Sequence, residues 1–459
     1  MSVRAIVLAA GRGTRMKSPL PKVVHEAAGR PLVAWVLDAI AGLDPAETVV
    51  VVGYGADRVR EVLPPGATVA EQTEQLGTGH AVMVALDQMG PVSGDTVVVV
   101  PGDSPLFRAS TLAALLEGHR GADATLLTAR VPDPAGYGRV LRDGDRVIGI
   151  VEEGDADPHQ RAIDEIAVST YAFDGDALVG ALGEIGRDNR QGEYYLTDAI
   201  GIIAAGGTVH AVAAAEPEEV LGVNSHDQLA AAAAVLRRRI NLGWMQAGVW
   251  MQDPERTYVD AGVHLAPGAR IFADTHLVGD TSVEEGAEVG PGVYAADTRI
   301  RAGARMWYSV SRGADIGPGA QVGPYASLRE GTVLLERSKA GTFVETKKTT
   351  VGKGSKVPHL SYMGDATIGE DTNIGAGTIT CNYDGHRKHQ TVIGDRVFIG
   401  SDTMLVAPLS IGDDAVTGAG STITKDVEPG ALAVERSTQK QLPGYAARRA
   451  RKSRHEDGE

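Results

Sequence analysis

A glycine-rich segment near the start of the chain has the residue types needed to bind a phosphate chain. The apolar run Ala5–Ala9 leads directly into a loop that contains Gly11, Gly13 and Arg15. Two close glycines let backbone N–H groups approach phosphate oxygens, and an arginine adds a bidentate donor. Lys22 places a second cation a short distance along the chain. This combination predicts a phosphate-binding loop at the end of a strand.

The segments around this loop predict a Rossmann-like α/β unit over residues 1–227. Continuous apolar runs at Ala5–Ala9, Val49–Val52 and Thr96–Val100 each end at glycine, proline or an acidic turn. Such runs are typical of strands buried on both faces, as in a mostly parallel sheet covered by helices. Asp103 follows the third run, so we expect it at the carboxyl end of a strand, where such sheets bind ligands. Helices are predicted at Leu32–Leu43 and Thr111–Gly118.

Beyond residue 227 the pattern changes twice. Residues 228–248 are predicted as a linker helix, because Gln228–Asn241 is rich in alanine, leucine and arginine and contains no glycine or proline. Over residues 249–459 aliphatic residues instead recur every six residues, often followed by glycine. This period fits neither a helix nor an alternating strand, and it predicts a left-handed parallel β-helix built from hexapeptide repeats. The repeating aliphatic residues are Val259, Leu265, Ile271, Leu277, Val283, Val289, Ile316, Val322, Leu328, Leu334, Ile368, Ile374, Ile393, Ile399, Leu405 and Ile411.

Two segments of this second half fall outside the repeat. The period breaks at Thr380–Gln390, a polar and basic segment that we expect to form a loop at a functional or subunit surface. Arg448–Glu459 is strongly charged, and we predict a mobile tail that serves solubility or binds an acidic partner.

Composition excludes several classes of protein. A formal net charge of −15 argues against a nucleic-acid binder, although a local positive pocket can still bind anionic substrates. Cys381 is the single cysteine, which excludes an internal disulfide and favours a cytoplasmic location. The sequence has no run of about 18 apolar residues, so we predict no membrane insertion.

Motifs spread over nearly the whole chain carry a family resemblance. In the first half they are Leu8–Met16, Pro19–Lys22, Glu74–Ala81, Gly102–Leu106, Gly136–Arg139, Gly192–Asp198 and Gly222–Asn224. In the second half they are Val344–Lys348, Gly354–Tyr362, Asn373–Thr378 and Thr380–Gly385. Together they resemble the bifunctional bacterial family that joins an N-acetylglucosamine-1-phosphate uridyltransferase to a glucosamine-1-phosphate acetyltransferase. The resemblance implies synthesis of UDP-N-acetylglucosamine for cell-wall precursors, from glucosamine 1-phosphate, acetyl-coenzyme A and UTP with Mg²⁺, by a homotrimer.

For the first half, the resemblance implies a site in which Mg²⁺ and fixed cations offset the repulsion between a sugar phosphate and UTP. Arg15 and Lys22 would hold the phosphates, and Asp103 and Asn224 would bind the metal. The residues implied in binding UTP or the UDP-sugar are Leu8, Ala9, Ala10, Gly11, Lys22, Gln72, Gly77, Thr78, Gly102, Asp103, Gly138, Glu152 and Asn224, with Gly138 and Glu152 at the sugar.

One stretch departs from the family pattern. The family typically has asparagine and glycine where this chain has Ala167 and Ser169, and the asparagine contacts the acetylated sugar. Alanine has no polar side chain, so we predict weaker sugar binding or altered sugar selectivity.

For the second half, the resemblance implies acetyl transfer to an amine, which needs a base and donors for the thioester oxyanion. His359 would be the general base, with Glu345 as its orienting carboxylate. Glucosamine 1-phosphate would be bound by Arg329, Lys347, Tyr362 and Asn373. Acetyl-coenzyme A would be bound by Ala376, Asn382, Tyr383, Ser401, Ala419 and Arg436.

Two alternatives stay open at this point. One is an enzyme of the same architecture with another sugar preference, suggested by Ala167. The other is a scaffold trimer that has lost an active site, against which the presence of Arg15, Lys22, Asp103 and His359 argues.

Overall fold

The chain forms two compact units in a computed structural model that describes residues 2–456, with side chains described as far as residue 452. The first unit runs from Met1 to Gly243 and includes Val259–Ala261. The second comprises Trp244–Tyr258 and Gly262–Glu459.

The first unit is built on a nine-stranded sheet in which the predicted phosphate-binding loop follows a central strand. Its strands and those of a two-stranded ribbon are β1 (Val3–Ala9), β2 (Glu26–Ala27), β3 (Arg30–Pro31), β4 (Glu47–Val52), β5 (Thr68–Glu71), β6 (Thr96–Pro101), β7 (Ala124–Arg130), β8 (Gly138–Asp143), β9 (Arg146–Val151), β10 (Glu165–Asp174) and β11 (Val209–Ala213). The main strand order is β11-β7-β10-β6-β1-β4-β5, β8 pairs with β10 and β9, and β2 with β3 form the ribbon.

Helices lie on both faces of this sheet and beside it. They are α1 (Leu32–Ala41), α2 (Ala56–Val62), α3 (Thr78–Met89), α4 (Ala109–Gly118), α5 (Pro158–Arg161), α6 (Gly175–Leu182), α7 (Leu196–Gly206) and α8 (His226–Gln246). Short 3₁₀ turns occupy Thr14–Met16, Lys22–Val24, Pro217–Val220 and Pro254–Arg256. The residues predicted as a linker helix lie largely within α8.

Alternation along β1 explains why its apolar run is continuous. Ile6 packs in the cluster on one face of the sheet, and Ala5 and Val7 pack in the cluster on the other. All three are fully buried. Because β4 and β6 lie parallel on either side of β1, the prediction of a parallel sheet buried on both faces is confirmed for these strands.

The second unit is a left-handed parallel β-helix made of three long sheets, which confirms the predicted solenoid. The first sheet contains Trp250–Met251, Arg270–Ile271, Glu288–Val289, Arg305–Met306, Gln321–Val322, Lys339–Thr342, Lys356–His359, Asn373–Ile374, Phe398–Ile399, Val416–Thr417 and Leu432–Ala433. The second contains Thr257–Val259, Thr275–Val278, Tyr294–Ala296, Val310–Arg312, Ser327–Leu328, Glu345–Lys347, Tyr362–Gly364, Ile379–Cys381, Met404–Val406 and Thr422–Ile423. The third contains His264–Leu265, Ser282–Val283, Arg299–Ile300, Asp315–Ile316, Val333–Leu334, Thr350–Val351, Ala366–Ile368, Thr391–Ile393 and Leu409–Ile411.

The repeating aliphatic side chains form the core of this β-helix. Each of the sixteen named above is at most 2% exposed. Residues one coil apart stack in register, as Ile271 does on Val289. The six-residue period therefore arises because each short strand contributes one buried side chain to the core.

The charged C-terminal segment that the sequence predicts as a tail has regular secondary structure where it is described. Its described part lies in a helix, α9 (Tyr445–Glu456), whose residues are exposed as far as their side chains are described. Alanine, arginine and lysine all have high helix propensity, which outweighs the lack of a buried face here. Residues 457–459 lie outside the described part. In residues 2–456, no helix combines the length and apolar character needed to span a membrane.

Candidate functional site

The loop after β1 lies open to solvent and approaches Lys22 closely. Gly13 has a φ of +63°, and a Cβ built on it would lie 2.6 Å from Cβ of Lys22. Glycine is required here both for the left-handed conformation and for the close approach. A Cβ built on Gly11 would have no atom within 4 Å, and Arg15 is exposed. The loop therefore presents backbone and guanidinium donors to solvent, as phosphate binding requires.

Lys22, Asp103 and Asn224 converge although they come from distant parts of the chain. Lys22 Nζ forms an ion pair with Oδ2 of Asp103 and donates a hydrogen bond to Oδ1 of Asn224 at 2.9 Å. The backbone N–H of Val223 donates to the carbonyl of Asp103 at 2.9 Å, which fixes Asn224 beside it. The ammonium group of Lys22 thus contacts two oxygen atoms of the kind that bind Mg²⁺.

This arrangement fits the implied metal. Mg²⁺ in nucleotide sites is held by one or two protein oxygens, with substrate phosphates and water completing its octahedron. Among the described residues, no group of three or more histidine, cysteine, aspartate or glutamate side chains is placed to hold a metal. Asp103 and Asn224 are therefore the metal-binding candidates that the geometry supports.

Tyr137 belongs to the same site, although the sequence did not single it out by role. Burial, and next the charge of Asp103, raise the pKa of its phenol, while Arg15 acts in the opposite direction. Tyr137 therefore lies in the electrostatic field of both Asp103, a predicted metal ligand, and Arg15, a predicted phosphate ligand. The Gly136–Arg139 motif was the available signal.

The other residues predicted to bind the nucleotide lie near the carboxyl ends of β1, β5 and β6. The backbone N–H of Gly102 donates to the carbonyl of Leu8 at 2.9 Å, so the ends of β1 and β6 meet. Gln72 follows β5, is buried, and donates from Nε2 to the carbonyl of Gly77 at 3.0 Å. Thr78 begins α3, and its hydroxyl accepts from the N–H of Leu196 at 3.0 Å. Leu8, Ala9, Ala10 and Gly11 lead directly into this region.

Gly138 and Glu152 lie together at the base of the β8–β9 hairpin. A Cβ on Gly138 would lie 3.6 Å from Oε2 of Glu152. Thr197 donates to Oε1 of Glu152 at 3.0 Å. Burial raises the pKa of Glu152, and the nearby Asp198 and Asp155 add to the rise. A half-buried carboxylate with one oxygen bonded to Thr197 and the other beside Gly138 is suited to accept a hydrogen bond from a sugar hydroxyl.

Ala167 lies directly opposite this pair. It is in register with Gly138 and is 4% exposed. The ladder between β10 and β7 shifts between Ala167 and Tyr171, and Ser169, inside the shift, has a φ of +52°. That left-handed conformation favours glycine, which accounts physically for the residue that the family has there.

In the second unit, His359 lies at one end of a continuous row of predicted coenzyme residues. Backbone hydrogen bonds link this row from coil to coil. The N–H of Gly377 donates to the carbonyl of His359, and the N–H of Asp402 donates to the carbonyl of Ala376. On the next coil, the N–H of Gly420 donates to the carbonyl of Ser401. Arg436 completes the row by donating from Nη1 to the carbonyl of Ala419 at 2.9 Å. His359, Ser401, Ala419 and Arg436 are all exposed along it. Four of the six predicted coenzyme residues are thus brought together with the predicted base.

Glu345 is paired differently from the prediction. Its Oε1 accepts a hydrogen bond from Nη1 of Arg329 at 2.9 Å, and both side chains are about half exposed. Within the described residues, no hydrogen bond joins Glu345 to His359. Glu345 is in register with Tyr362 on the next coil, so the predicted sugar residues Arg329 and Tyr362 both adjoin it. Asn373 begins a neighbouring strand of the first sheet, in register with Lys356.

Lys347 has a second lysine beside it that the sequence did not identify. The nearby Lys388, and further off Arg329, lower the pKa of Lys347. Cations that approach each other in this way are typical of a site for a doubly charged anion such as a sugar phosphate. The basic residues of the 380–390 break indicated that a cation could lie near this site, but only the fold shows that Lys388 is the one that lies beside Lys347.

The last two predicted coenzyme residues lie at the start of this break. Asn382 is buried, and its Nδ2 donates to Oδ2 of Asp365 at 2.5 Å. Tyr383 is 60% exposed. Gly364 leaves room for the side chains of Tyr362 and Asn382 to approach the same point. A Cβ built on Gly364 would lie 2.4 Å from the phenol oxygen of Tyr362 and 2.6 Å from Nδ2 of Asn382. Residues predicted to bind the sugar phosphate and the coenzyme therefore adjoin one another.

Comparisons with known proteins match both units. Residues 5–157 match the family described as MobA-like NTP transferase domain, and residues 390–425 match bacterial transferase hexapeptide (six repeats). The protein named bifunctional protein GlmU from Heliobacterium modesticaldum is 51% identical over 449 residues, covering 97% of this chain and 98% of its own. Its namesake from Streptomyces coelicolor is 50% identical over 452 residues, with coverage of 97% and 94%. That from Pelobacter propionicus is 47% identical over 459 residues, with coverage of 98% and 100%.

Proposed function

Because the chain belongs to the family of bifunctional GlmU proteins, we infer that it catalyses two successive reactions at separate sites. It is a glucosamine-1-phosphate acetyltransferase and an N-acetylglucosamine-1-phosphate uridyltransferase, with acetyl-coenzyme A and UTP as co-substrates and Mg²⁺ as the metal. Its product, UDP-N-acetylglucosamine, serves peptidoglycan synthesis. The observation that carries this conclusion is identity of about half over nearly the full length of both chains. We assign uridylyl transfer to residues 1–227, acetyl transfer to residues 249–459, and the link between them to residues 228–248.

For uridylyl transfer, we propose that the first unit brings two anions together and neutralises them. An oxygen of the sugar phosphate attacks the α-phosphorus of UTP, a P–O bond forms, and the bond to pyrophosphate breaks. Arg15 and the backbone N–H groups of the loop bind phosphate oxygens, while Lys22 supplies a second charge close to them. Asp103 and Asn224 would hold Mg²⁺, which supplies charge for the transferred and leaving phosphates.

The sugar of the sugar phosphate and the uridine of UTP are held by side chains whose positions the fold fixes before the substrates bind. Glu152, oriented by Thr197, accepts a hydrogen bond from a sugar hydroxyl beside Gly138. Gln72 and the start of α3 contact the uridine. Fixed polar groups lower the entropic cost of orienting the substrates.

For acetyl transfer, we propose that His359 accepts the proton of the attacking amine. The amine nitrogen forms a bond to the thioester carbonyl carbon, the C–S bond breaks, and coenzyme A leaves as the thiol. Arg329, Lys347 and Lys388 bind the phosphate of the sugar. Arg329 then has an anion to pair with in place of Glu345, which leaves this carboxylate available to His359. The row formed by Ala376, Ser401, Ala419 and Arg436 binds the coenzyme, with Arg436 at its anionic part.

Cys381 takes no part as a nucleophile in this scheme. Burial raises the pKa of its thiol, so it remains protonated and unreactive near neutral pH. The acetyl group passes directly from coenzyme A to the amine.

We also propose that three copies assemble and that the protein works in the cytoplasm. The hexapeptide β-helix supports the trimer, because it offers flat faces for packing around a threefold axis. The single cysteine supports the location. Light scattering of the purified protein should give three times the mass of the chain, and the mass of a monomer would contradict the trimer.

Replacing Ala167 with asparagine is expected to lower the KM for N-acetylglucosamine 1-phosphate. The new amide would lie beside Gly138 and Glu152, where it adds a donor for a sugar oxygen worth roughly 0.5–1.5 kcal/mol. Initial rates of pyrophosphate release against sugar-phosphate concentration measure the effect. Ala129→Asn, on the adjacent strand, is the control that should not lower this KM. An unchanged KM in Ala167→Asn would refute the proposed role of this position.

The function is tested by supplying glucosamine 1-phosphate, acetyl-coenzyme A, UTP and Mg²⁺ together. We expect free thiol and pyrophosphate to appear, with pyrophosphate dependent on acetyl-coenzyme A. Thiol without pyrophosphate would leave the acetyltransferase assignment in place and exclude N-acetylglucosamine 1-phosphate as the uridylyl acceptor. Absence of both products would exclude the proposed function.

A further inference from the structure

The segment that interrupts the β-helix is a closed hairpin. It leaves the solenoid after the strand Ile379–Cys381 and returns at Thr391–Ile393. Tyr383 and Lys388 face each other across an antiparallel bridge, and the N–H of His389 donates to the carbonyl of Asn382 at 2.8 Å. Its conformation is therefore set by bonds within the hairpin itself.

Asp384 makes further hydrogen bonds within the hairpin. Its Oδ1 accepts from the backbone N–H groups of His386 at 2.7 Å and Arg387 at 2.6 Å. Its Oδ2 lies 2.7 Å from Nε2 of His389, and its own N–H donates to the carbonyl of Arg387 at 3.2 Å. Bonds to Arg387, His389 and His386 hold the pKa of Asp384 far below its usual range, so it is a carboxylate at any working pH. This carboxylate is directed at its own hairpin and is occupied there.

The two ends of the hairpin carry groups for different substrates. Lys388 adjoins Lys347, which we propose binds the sugar phosphate, while Tyr383, opposite Lys388 in the bridge, is 60% exposed and is one of the residues proposed to bind the coenzyme. The base of the hairpin is fixed by the bond from Asn382 to Asp365. Asp384 follows Tyr383 in the chain, and its bonds to His386, Arg387 and His389 hold together the turn that joins Tyr383 to Lys388.

We propose that Asp384 is a positioning residue for acetyl transfer, which fixes Tyr383 and Lys388 for the two substrates without touching either. The proposal rests on the acetyltransferase function assigned above. Without the carboxylate, the hairpin samples other conformations, helped by Gly385 at a φ of +95°. Binding must then order it, and this cost weakens binding of both substrates. His359 is unaffected, so the chemical step at saturation is retained.

Kinetics of thiol release by the full-length protein test this. In Asp384→Ala, KM for both acetyl-coenzyme A and glucosamine 1-phosphate should rise about tenfold, the loss expected from charge-assisted backbone bonds. The value of kcat should change by less than about twofold, as when only binding is lost. Asp384→Asn keeps an oxygen for the two backbone N–H groups, so it should restore both KM values most of the way. Asp414→Ala is the matched control, because Asp414 is an exposed carboxylate paired with Arg396 elsewhere on the solenoid.

The outcomes separate this inference from the function on which it rests. Unchanged KM values in Asp384→Ala, a fall in kcat alone, or an equal effect in Asp414→Ala would each overturn the positioning role. Uridylyl transfer measured on the same preparations should be unchanged, and its loss in Asp384→Ala would also overturn the proposal by indicating general misfolding. If the unmodified protein released no thiol, the acetyltransferase function itself would fail.

Discussion

Replacing His359 with alanine is expected to lower kcat for acetyl transfer by about 10²–10⁴-fold, the usual contribution of a general base. The amine of glucosamine 1-phosphate must lose a proton as it becomes an amide, and His359, the proposed base, lies at one end of the row of residues proposed to bind the coenzyme. Its side chain is exposed at a strand end, so its removal opens no cavity and should leave the fold intact. Thiol release at saturating substrates is the measurement.

His276→Ala provides a matched control, since this histidine is also exposed on a strand of the β-helix and stacks on Tyr258. Acetyl transfer in the control should be unchanged. Uridylyl transfer from supplied N-acetylglucosamine 1-phosphate should be normal in both variants. A His359→Ala protein that keeps most of its acetyl transfer would exclude this residue as the base.

Replacing Asp103 with asparagine is expected to reduce uridylyl transfer on the order of 10²–10³-fold, the cost of removing one preorganised electrostatic group. The substitution keeps the shape but removes the negative charge that faces Lys22 and that would hold Mg²⁺. The half-saturating Mg²⁺ concentration should therefore rise as kcat falls, because the remaining protein ligand is the neutral Asn224. Pyrophosphate release over a Mg²⁺ titration measures both effects.

Asp57→Asn is the control, because Asp57 is an almost fully exposed carboxylate on α2. Acetyl transfer should be normal in both variants. If Asp103→Asn shows the ordinary Mg²⁺ dependence and rate, the metal is held elsewhere and the assignment of Asp103 is wrong.

The sequence predicted those features that depend on local periodicity. The strands around Ile6 could be recognised because both faces of the sheet are buried, and the solenoid because each strand buries one aliphatic side chain. Asp103 could be placed because a ligand site in such a sheet follows the end of a strand. These predictions need no knowledge of distant contacts.

Features that depend on the third dimension were not predictable in the same way. The proximity of Lys388 to Lys347 follows from how the hairpin returns to the coil, and no period operates within that segment. The left-handed conformation of Ser169 arises from a shift in the ladder between β10 and β7, which pattern alone does not reveal. The pairing of Glu345 with Arg329 depends on which side chains stack one coil apart.

The contact between Lys22 and Asn224 has a consequence for how the protein is made. These residues are 202 positions apart, so the cluster of Lys22, Asp103 and Asn224 cannot assemble until nearly the whole first unit has left the ribosome. In the solenoid, by contrast, stacked partners such as Arg270 and Glu288 are 18 positions apart. Since loop closure over a long chain slows folding while neighbour contacts form readily, coils can be added one by one as they emerge. Translation therefore delivers an unfinished nucleotide site first and completes it before most of the β-helix exists.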